Sequence, residues 1–188
     1  HRLIERGVDG AWVTGPALSE MAPSTSSRLE DAAEFILPDL MAKTGESVQL
    51  YRLSGMERVC IANAEPATGL RDTVPIGHRM TLNAGSAAKL LVAYAPEAFQ
   101  NQVLPHAAYT RKDLEQIAAD GIAESSAERD PSLASASVPI FGADAHNRTV
   151  IASLSISGPV ARMGEHPAEK FGADLKEAAR LLEDLLRK

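Results

Sequence analysis

The sequence is poor in cysteine and in aromatic residues. Its 188 residues include one cysteine, Cys60, and only 4% of them are Phe, Trp or Tyr. A single cysteine excludes a disulfide framework, a CxxC redox pair and a cysteine-rich zinc site. Because Cys60 lies in the apolar run 58–62, we interpret it as a small buried hydrophobic residue rather than a nucleophile.

Positive charge and long apolar runs are scarce as well. The chain has 19 Lys and Arg against 25 Asp and Glu, which gives a net charge of −6. This balance argues against nucleic-acid binding over most of the surface, since phosphate contacts need clustered basic side chains. The apolar runs are too short to span a bilayer and the first residues do not form a signal peptide, so we expect a cytoplasmic protein without a membrane partner. Because the chain begins at His1 rather than Met, we also expect a trimmed or partial chain.

What the sequence does contain is the hydrophobic periodicity of an α+β domain. A linker-like stretch at 22–27 is followed by a predicted helix that begins at residue 28 and is capped by Ser27. Pro38 should kink or restart this helix, and Gly45 should end it. The last helix is predicted along 171–185, where apolar residues recur at steps of three and four.

The segments between these two helices predict hairpins and shorter helices. Alternating residues at 47–53 and 57–62 predict one hairpin, and 70–74 predict a further short strand. Runs at 133–141 and 149–157, joined by a polar loop at 143–148, predict a second hairpin. Short helices are expected at 87–94 and 111–120, the latter with a capping box formed by Thr110 and Asp113. Together these elements indicate an antiparallel sheet with helices packed on it.

Two motifs test for an enzyme or a metal site. Ser86 and Lys89 fit the S-x-x-K pattern of serine acyl enzymes, in which the amine takes the hydroxyl proton. The K-T-G at 43–45 precedes this motif instead of following it, and no S-D-N occurs, so the order argues against a hydrolase. The histidines lack the i, i+4 helical spacing of a simple metal pair, which leaves only distant residues to converge on a metal. They stand in separate turn-rich segments: His78, His106, His146 and His166. With the motif order against a hydrolase, we expect no enzyme, metal or cofactor.

Serine residues follow two predicted neighbouring strands at intervals of two. Such residues point to one face of a sheet, and they are Ser135 and Ser137, then Ser153, Ser155 and Ser157. The face is either solvent-exposed or the floor of a ligand site, where small side chains leave space and hydroxyls bind polar groups. Gly85 and Ser86 begin a predicted helix, whose free N–H groups favour an anionic group.

Several segments together resemble the effector-binding domain of IclR-type bacterial transcription regulators. They are 40–50 (LMAKTGESVQL), 69–71, 74–77, 82–91 (LNAGSAAKLL), 121–129 and 153–159. The resemblance is collinear from about residue 29 to residue 188 and implies a GAF-like α+β fold. Residues 2–8 resemble the tail of a recognition helix, and 10–16 resemble the wing of a winged helix-turn-helix.

The resemblance implies a division of the chain and a set of partners. Residues 1–17 would be the remnant of a winged helix-turn-helix DNA-binding domain, 18–43 a linker and helix, and 44–188 the effector-binding domain. The partners implied are a small-molecule effector, DNA through the mostly absent N-terminal domain, and further copies of the chain in a dimer or tetramer.

In that family the effector lies in a cup between the sheet and the preceding loop and helix. Carried over by position, the candidate effector-binding residues are Met80, Ser86, Ala87, Ser125, Ser135, Ser155 and Ser157. Several family members have an acidic residue or Cys where this chain has Ser125 and Ser135. Hydroxyls and a helix start favour a small polar anion, such as a carboxylate. Alternatives are a GAF-type reductase, which the single cysteine disfavours, an S-x-x-K hydrolase, and a ligand-binding module without a DNA partner.

Overall fold

The computed structural model describes residues 4–6, 12–14, 16–142 and 149–187, with side chains from residue 28 onward. Its centre is one antiparallel sheet of six strands in the spatial order β5-β4-β3-β8-β7-β6. The strands are β3 (Ser47–Ser54), β4 (Glu57–Ala64), β5 (Arg79–Thr81), β6 (Ala123–Ser126), β7 (Leu133–Phe141) and β8 (Val150–Pro159). The predicted α+β architecture is confirmed.

Both predicted hairpins are present in this sheet. Strands β3 and β4 pair up to Ser54 and Glu57, on either side of Gly55 with its φ of 59°. Left-handed backbone of this kind favours glycine in tight turns. Strands β7 and β8 pair over nearly their whole length, and the predicted loop at 143–148 lies outside the described residues.

One face of the sheet carries the main hydrophobic core. Val48, Leu50, Leu154 and Ile156 point to this face and are fully buried. Two helices cover it: α1 (Pro16–Thr44) and α6 (Pro167–Leu186). The predicted apolar stripe of α6 is buried at Phe171, Leu175, Ala178 and Leu182, whereas Leu185 is 37% exposed.

Helix α1 is longer than the sequence predicts. It begins at Pro16 rather than at residue 28, so Ser27 lies inside the helix and the linker-like stretch is helical. Proline is favoured at the first position of a helix, where its missing N–H costs nothing. The helix also continues through Pro38, because residues on both sides, Leu29 and Leu40, are anchored in the core. It ends at Thr44, before Gly45 with φ +71°, as predicted.

The opposite face of the sheet is covered by helix α2 (Ser86–Ala93), which packs on β7 and β8. Helix α4 (Arg111–Asp120) packs on α2 and has the predicted capping box, with Gly121 left-handed at its end. The structure adds elements that the sequence did not predict: α3 (Glu97–Val103), a short 3-10 helix (Leu104–His106), α5 (Val160–Met163), and strands β5 and β6.

The predicted strand at 70–74 is wrong. These residues belong to the loop between β4 and β5, where side chains rather than a neighbouring strand satisfy the backbone. The Val74 N–H donates to Glu65 Oε1 at 3.2 Å, and its carbonyl accepts from Asn63 Nδ2 at 2.8 Å. The Asp72 carbonyl accepts from Gln49 Nε2 at 3.5 Å.

The first described residues form a small separate sheet. Strand β1 (Ile4–Arg6) pairs antiparallel with β2 (Trp12–Thr14), with Glu5 opposite Val13. The expected helix tail is therefore wrong for Ile4–Arg6, which is extended because it is paired with β2. A two-stranded antiparallel ribbon is compatible with a wing, and the assignment of residues 1–17 to a DNA-binding domain stays a prediction.

Candidate functional site

The serine stripe lies on the face of the sheet that α2 covers, not on a solvent-exposed face. Ser137, Ser153, Ser155 and Ser157 are all at most 5% exposed. Register explains the stripe, because β7 and β8 pair Ser135 with Ser157 and Ser137 with Ser155. The solvent-face alternative is therefore wrong for these four positions.

The serine hydroxyls of three elements meet in a short hydrogen-bonded chain. The Ser86 hydroxyl, at the start of α2, donates to Ser135 Oγ at 2.7 Å and lies 2.7 Å from Ser137 Oγ. Ser137 Oγ lies 2.6 Å from Ser155 Oγ. Next to them, the Ser157 hydroxyl donates to Gln49 Oε1 at 2.9 Å. Small side chains thus bring α2 close to the sheet and line a polar layer between them.

The start of α2 is bound by the protein's own carboxylate. Gly85 has φ 97°, and its N–H donates to Glu128 Oε2 at 3.1 Å. The other Glu128 oxygen forms an ion pair with Lys89, whose Nζ also donates to the Glu124 carbonyl at 3.0 Å. Lys89 is therefore directed at these two acidic residues, while the Ser86 hydroxyl contacts serines. The S-x-x-K pair of a hydrolase is not assembled.

Two loops form the outer wall above the serines. One is the 65–78 loop, which contributes Asp72, and the other is 127–132, which contributes Arg129. The two are joined by an ion pair of 3.4 Å between Arg129 Nη2 and Asp72 Oδ2. Arg129 Nη1 also lies 2.9 Å from the sulfur of Met80. The 127–132 loop begins at Ala127, whose φ of 57° lies in the left-handed region that residues other than glycine rarely adopt.

A cavity lies between the serine face, the start of α2 and the two loops. It has about 40 Å³ of space for water-sized molecules, and a single water needs roughly 10–15 Å³ by this measure. Six of the seven predicted site residues line it: Ser86, Ala87, Ser125, Ser135, Ser155 and Ser157. Met80 is not among the lining residues. Its sulfur instead contacts Arg58 and Arg129, and these two arginines do line the cavity. The structure therefore brings six of them to one cavity, and their role in effector binding stays a prediction.

The sequence prediction missed the charged residues of this cavity. Arg58, Asp72, Arg129 and Asp130 line it, together with Gln49 and Tyr51 of β3. Alternation within β3 places Gln49 and Tyr51 on the serine face, as the register shows. A signal in the sequence was the position of Gln49 and Arg58 inside two apolar strands, where a buried polar side chain needs a partner.

The remaining candidates do not join this site. Cys60 is fully buried, and burial raises the pKa of its thiol to about 11, so it is a neutral thiol at neutral pH, as its apolar surroundings predicted. His78, His106 and His166 are exposed, and His146 lies outside the described residues. Among the described residues, no three His, Cys, Asp or Glu side chains are grouped as a metal site requires.

None of the helices in the part of the chain that the structure describes is long and apolar enough to cross a membrane.

Comparison with known proteins gives a consistent family. The profile of the bacterial transcriptional regulator IclR C-terminal family matches residues 22–183. The transcriptional regulator BhcR of Paracoccus denitrificans is 30% identical over 187 residues, which cover 92% of this chain and 66% of that protein. The chain therefore spans slightly less than two thirds of this relative's length.

Solved structures share the fold. The Thermotoga maritima IclR has a TM-score of 0.74 at 27% identity, over 99% of this chain and 80% of that one. An IclR homologue of Microbacterium hydrocarbonoxydans, crystallised with 4-hydroxybenzoate, has a TM-score of 0.75 at 24% identity, over 98% and 80% of the two chains. The profile match, the BhcR relative and the fold agree, and the chain belongs to the IclR family of bacterial transcriptional regulators.

Proposed function

We propose that this chain is the effector-binding part of a DNA-binding transcriptional regulator and senses a small metabolite, of which a carboxylate is the favoured class. The observation that carries the proposal is the cavity on the serine face, beneath the start of α2. It combines hydroxyls that bind polar groups with the start of α2 at Ser86 and Ala87, next to the Gly85 N–H that Glu128 already binds. Family membership supports a regulatory role, because the relatives are transcriptional regulators and not enzymes.

The effector of this chain is proposed to be small. The Microbacterium hydrocarbonoxydans homologue was crystallised with 4-hydroxybenzoate, which supports an organic acid as the class. A cavity of about 40 Å³ takes a ligand of a few non-hydrogen atoms, since each water-sized group needs roughly 10–15 Å³.

Regulation requires that the effector bind one arrangement of the subunits more tightly than another, since a ligand with equal affinity for both shifts nothing. We propose that the chain acts in a dimer or tetramer, and that effector binding changes how the DNA-binding domains are placed. The cavity wall is suited to this, because the loops at 65–78 and 127–132 are joined across it by Arg129 and Asp72.

A thermal-shift screen of small carboxylic and aromatic acids tests the proposal. At least one acid should raise the melting temperature of the chain, and Ser86→Leu or Ser155→Leu should abolish that increase, because either bulky side chain fills the cavity. Ser126→Leu, an exposed position on the neighbouring strand β6, is the matched control and should respond normally. A ligand that still stabilises both cavity variants would place the site elsewhere.

A further inference from the structure

Arg58 is a buried cation, and no carboxylate among the described residues pairs with it. The residue is 4% exposed, and its guanidinium carbon lies 5.7 Å from the centre of the Tyr51 ring. Its Nη1 donates to the carbonyls of Thr81 and Ala84. Its Nε is buried without a hydrogen-bond partner, and Nη2 contacts only the weak acceptor sulfur of Met80, at 3.9 Å. The guanidinium edge formed by Nε and Nη2 therefore has no oxygen acceptor.

The other basic residues around the cavity have acidic partners. Arg129 is paired with Asp72, and Lys89 is paired with Glu128. Burying a charged group costs free energy, because the group loses its hydration. The cost is tolerated when an opposite charge and hydrogen bonds within the protein replace the lost water. Arg58 is thus the cation at this cavity wall that lacks a counter-charge within the described part of the chain.

The free edge of Arg58 has the geometry that carboxylates require. Two parallel N–H groups of a guanidinium bind both oxygens of a carboxylate side-on. The same protein makes this contact elsewhere, where Arg162 donates from Nε and Nη2 to the two oxygens of Glu46 at 2.6 and 2.8 Å. We infer that Arg58 binds the carboxylate of the effector side-on through Nε and Nη2, and that this contact selects ligands with a single carboxylate. The inference rests on the proposed function of the cavity.

The selection for one carboxylate follows from the rest of the wall. Arg58 offers one unpaired positive charge, and the remaining charged groups that line the cavity are Asp72, Asp130 and Arg129. Arg129 is already paired with Asp72. A second carboxylate on a ligand this small would therefore meet Asp130 and the already paired Asp72 and Arg129, and no free cation. Like charges at close range in a partly buried site repel strongly.

The first test uses the unaltered chain and matched ligands in isothermal titration. The probes are acetate, propionate, pyruvate and benzoate, their neutral amides, and the dicarboxylates malonate and succinate. At least one monocarboxylate should bind, and its amide and the dicarboxylates should bind at least tenfold more weakly. An amide that binds as tightly as its acid would overturn the inference without any mutation, and so would a panel in which no acid binds.

The second test uses variants on the acid that binds. Arg58→Gln should weaken it by about tenfold to a hundredfold, since a charge-assisted pair contributes roughly 1.5–3 kcal/mol. Arg58→Lys keeps the charge but not the side-on pair and should retain only part of the affinity. Arg79→Gln, an exposed arginine on β5, is the control and should bind like the unaltered chain.

The outcomes separate this inference from the proposed function. If Arg58→Gln binds the acid normally while Ser155→Leu does not, the cavity is the effector site and Arg58 is not its carboxylate ligand. If Arg58→Gln does not fold, the ratio between acid and amide on the unaltered chain decides. If no acid binds but a neutral metabolite does, and Ser155→Leu abolishes that binding, the inference is overturned while the effector site stands.

Discussion

Glu46 and Gly158 show how closely single residues are fitted at the edge of the core. Glu46 is 3% exposed and is held side-on by Arg162. A Cβ added at Gly158 would lie 2.1 Å from Glu46 Oε2, a distance that real Cβ atoms do not reach. Glycine is therefore required at this position of β8 because the Glu46 side chain lies so close to its Cα, and not because of its backbone angles.

We predict that Gly158→Ala lowers the free energy of unfolding by about 1–3 kcal/mol, the usual cost of overpacking. Urea denaturation measures it. Because the clashing atoms belong to Glu46, the same substitution should cost less in a Glu46→Ala background, a coupling that a double-mutant cycle detects. Equal costs in both backgrounds would show that the Glu46 side chain is not the obstacle.

The imidazole of His166 provides a pH-dependent contact at the start of α6. Its Nδ1 lies 3.2 Å from Glu124 Oε1, and this hydrogen bond is the main cause that raises the pKa of His166 above its usual value. Stability from the protonated pair is therefore present below the unfolded histidine pKa, about 6.5, and is lost as pH rises through the raised value.

We predict that NMR titration gives His166 a pKa above the usual histidine value, and that Glu124→Gln returns it towards that value. The glutamine oxygen can still accept from the Ala168 N–H, as Glu124 Oε2 does at 3.1 Å. The Glu124→Gln variant therefore preserves the start of the helix. An unchanged titration in Glu124→Gln would assign the shift to another group.

Residue-scale prediction succeeded where a repeat carried the signal. The two-residue spacing of Ser153, Ser155 and Ser157 in one strand is enough to place them on one face. It did not place Arg58 on that face, because a single charged residue has no spacing that assigns a face, although its position in an apolar strand marked it as a buried candidate. Arg58 faces the interior because a register shift between Leu50 and Tyr51 changes which β4 residues lie on the serine face.

At the scale of elements, α4 shows how local chemistry defines a boundary. The Thr110 hydroxyl accepts from the Asp113 N–H at 3.3 Å, and the Asp113 carboxylate accepts from the Thr110 N–H at 2.7 Å. The Thr110 N–H, and then the Thr110 hydroxyl that donates to the same carboxylate at 2.8 Å, lower the pKa of Asp113. The stability that these two bonds give is present above the unfolded pKa and is lost as pH falls through the lowered value.

We predict that Thr110→Ala destabilises the chain by about 1 kcal/mol, the typical cost of losing an N-cap side chain. Thr110→Ser keeps the hydroxyl and is the matched control, with a loss of no more than a few tenths of a kcal/mol. Both are measured by urea denaturation at neutral pH. A control that loses as much as Thr110→Ala would assign the effect to the Thr110 methyl group instead of the cap.

Helices and turns were predictable from the sequence where neighbouring residues determine their ends. They were not predictable where tertiary contacts determine those ends. The capping box of α4 and the turn at Gly55 depend on neighbouring residues and were placed from the sequence. Helix α1 was placed too short because the small residues at 22–27 indicated a linker. The expected kink or restart at Pro38 was also not found, since the helix packs against α6 on both sides of it. A short strand was predicted at 70–74, yet Glu65 and Asn63 bind the backbone of Val74 in its place.

At the scale of the whole molecule, Leu29 is the first residue of the main core among the side chains that the structure describes. The described core residues of α1 lie between Leu29 and Leu40, and the others come from the sheet, from α6 and from Met163 of α5. We predict that removing residues 1–27 leaves the melting temperature within about 4 °C of the original, the change that roughly 1 kcal/mol produces in a domain of this size. Circular dichroism during heating measures it.

The shortened chain should also keep its effector affinity, since each residue that lines the cavity lies beyond residue 48. Removing residues 1–41 instead deletes the core positions of α1 and serves as the contrasting variant, which should not fold. If the shorter deletion abolishes folding as well, the first residues contribute to the domain core and the division of the chain must be revised.

The arrangement of the whole sheet could not be predicted from the sequence. Strand β3 lies between β4, its neighbour in the chain, and β8, which follows about 100 residues later and pairs Gln49 with Ser155. The two predicted hairpins define two pairs of strands. They do not show which strand of one hairpin pairs with which strand of the other. The cavity depends on that joining, because Gln49 and Tyr51 come from one hairpin and Ser135 and Ser155 from the other.

The serine chain has a direction that follows from counting protons. Each hydroxyl has one proton to give, and that of Ser86 is given to Ser135. The contact between Ser86 and Ser137 must then use the proton of Ser137, and the contact between Ser137 and Ser155 must use the proton of Ser155. The proton left over is that of Ser135, on the cavity wall. A molecule that enters next to Ser135 therefore meets a hydroxyl whose proton is free to donate, and it gains a hydrogen bond there by offering a lone pair.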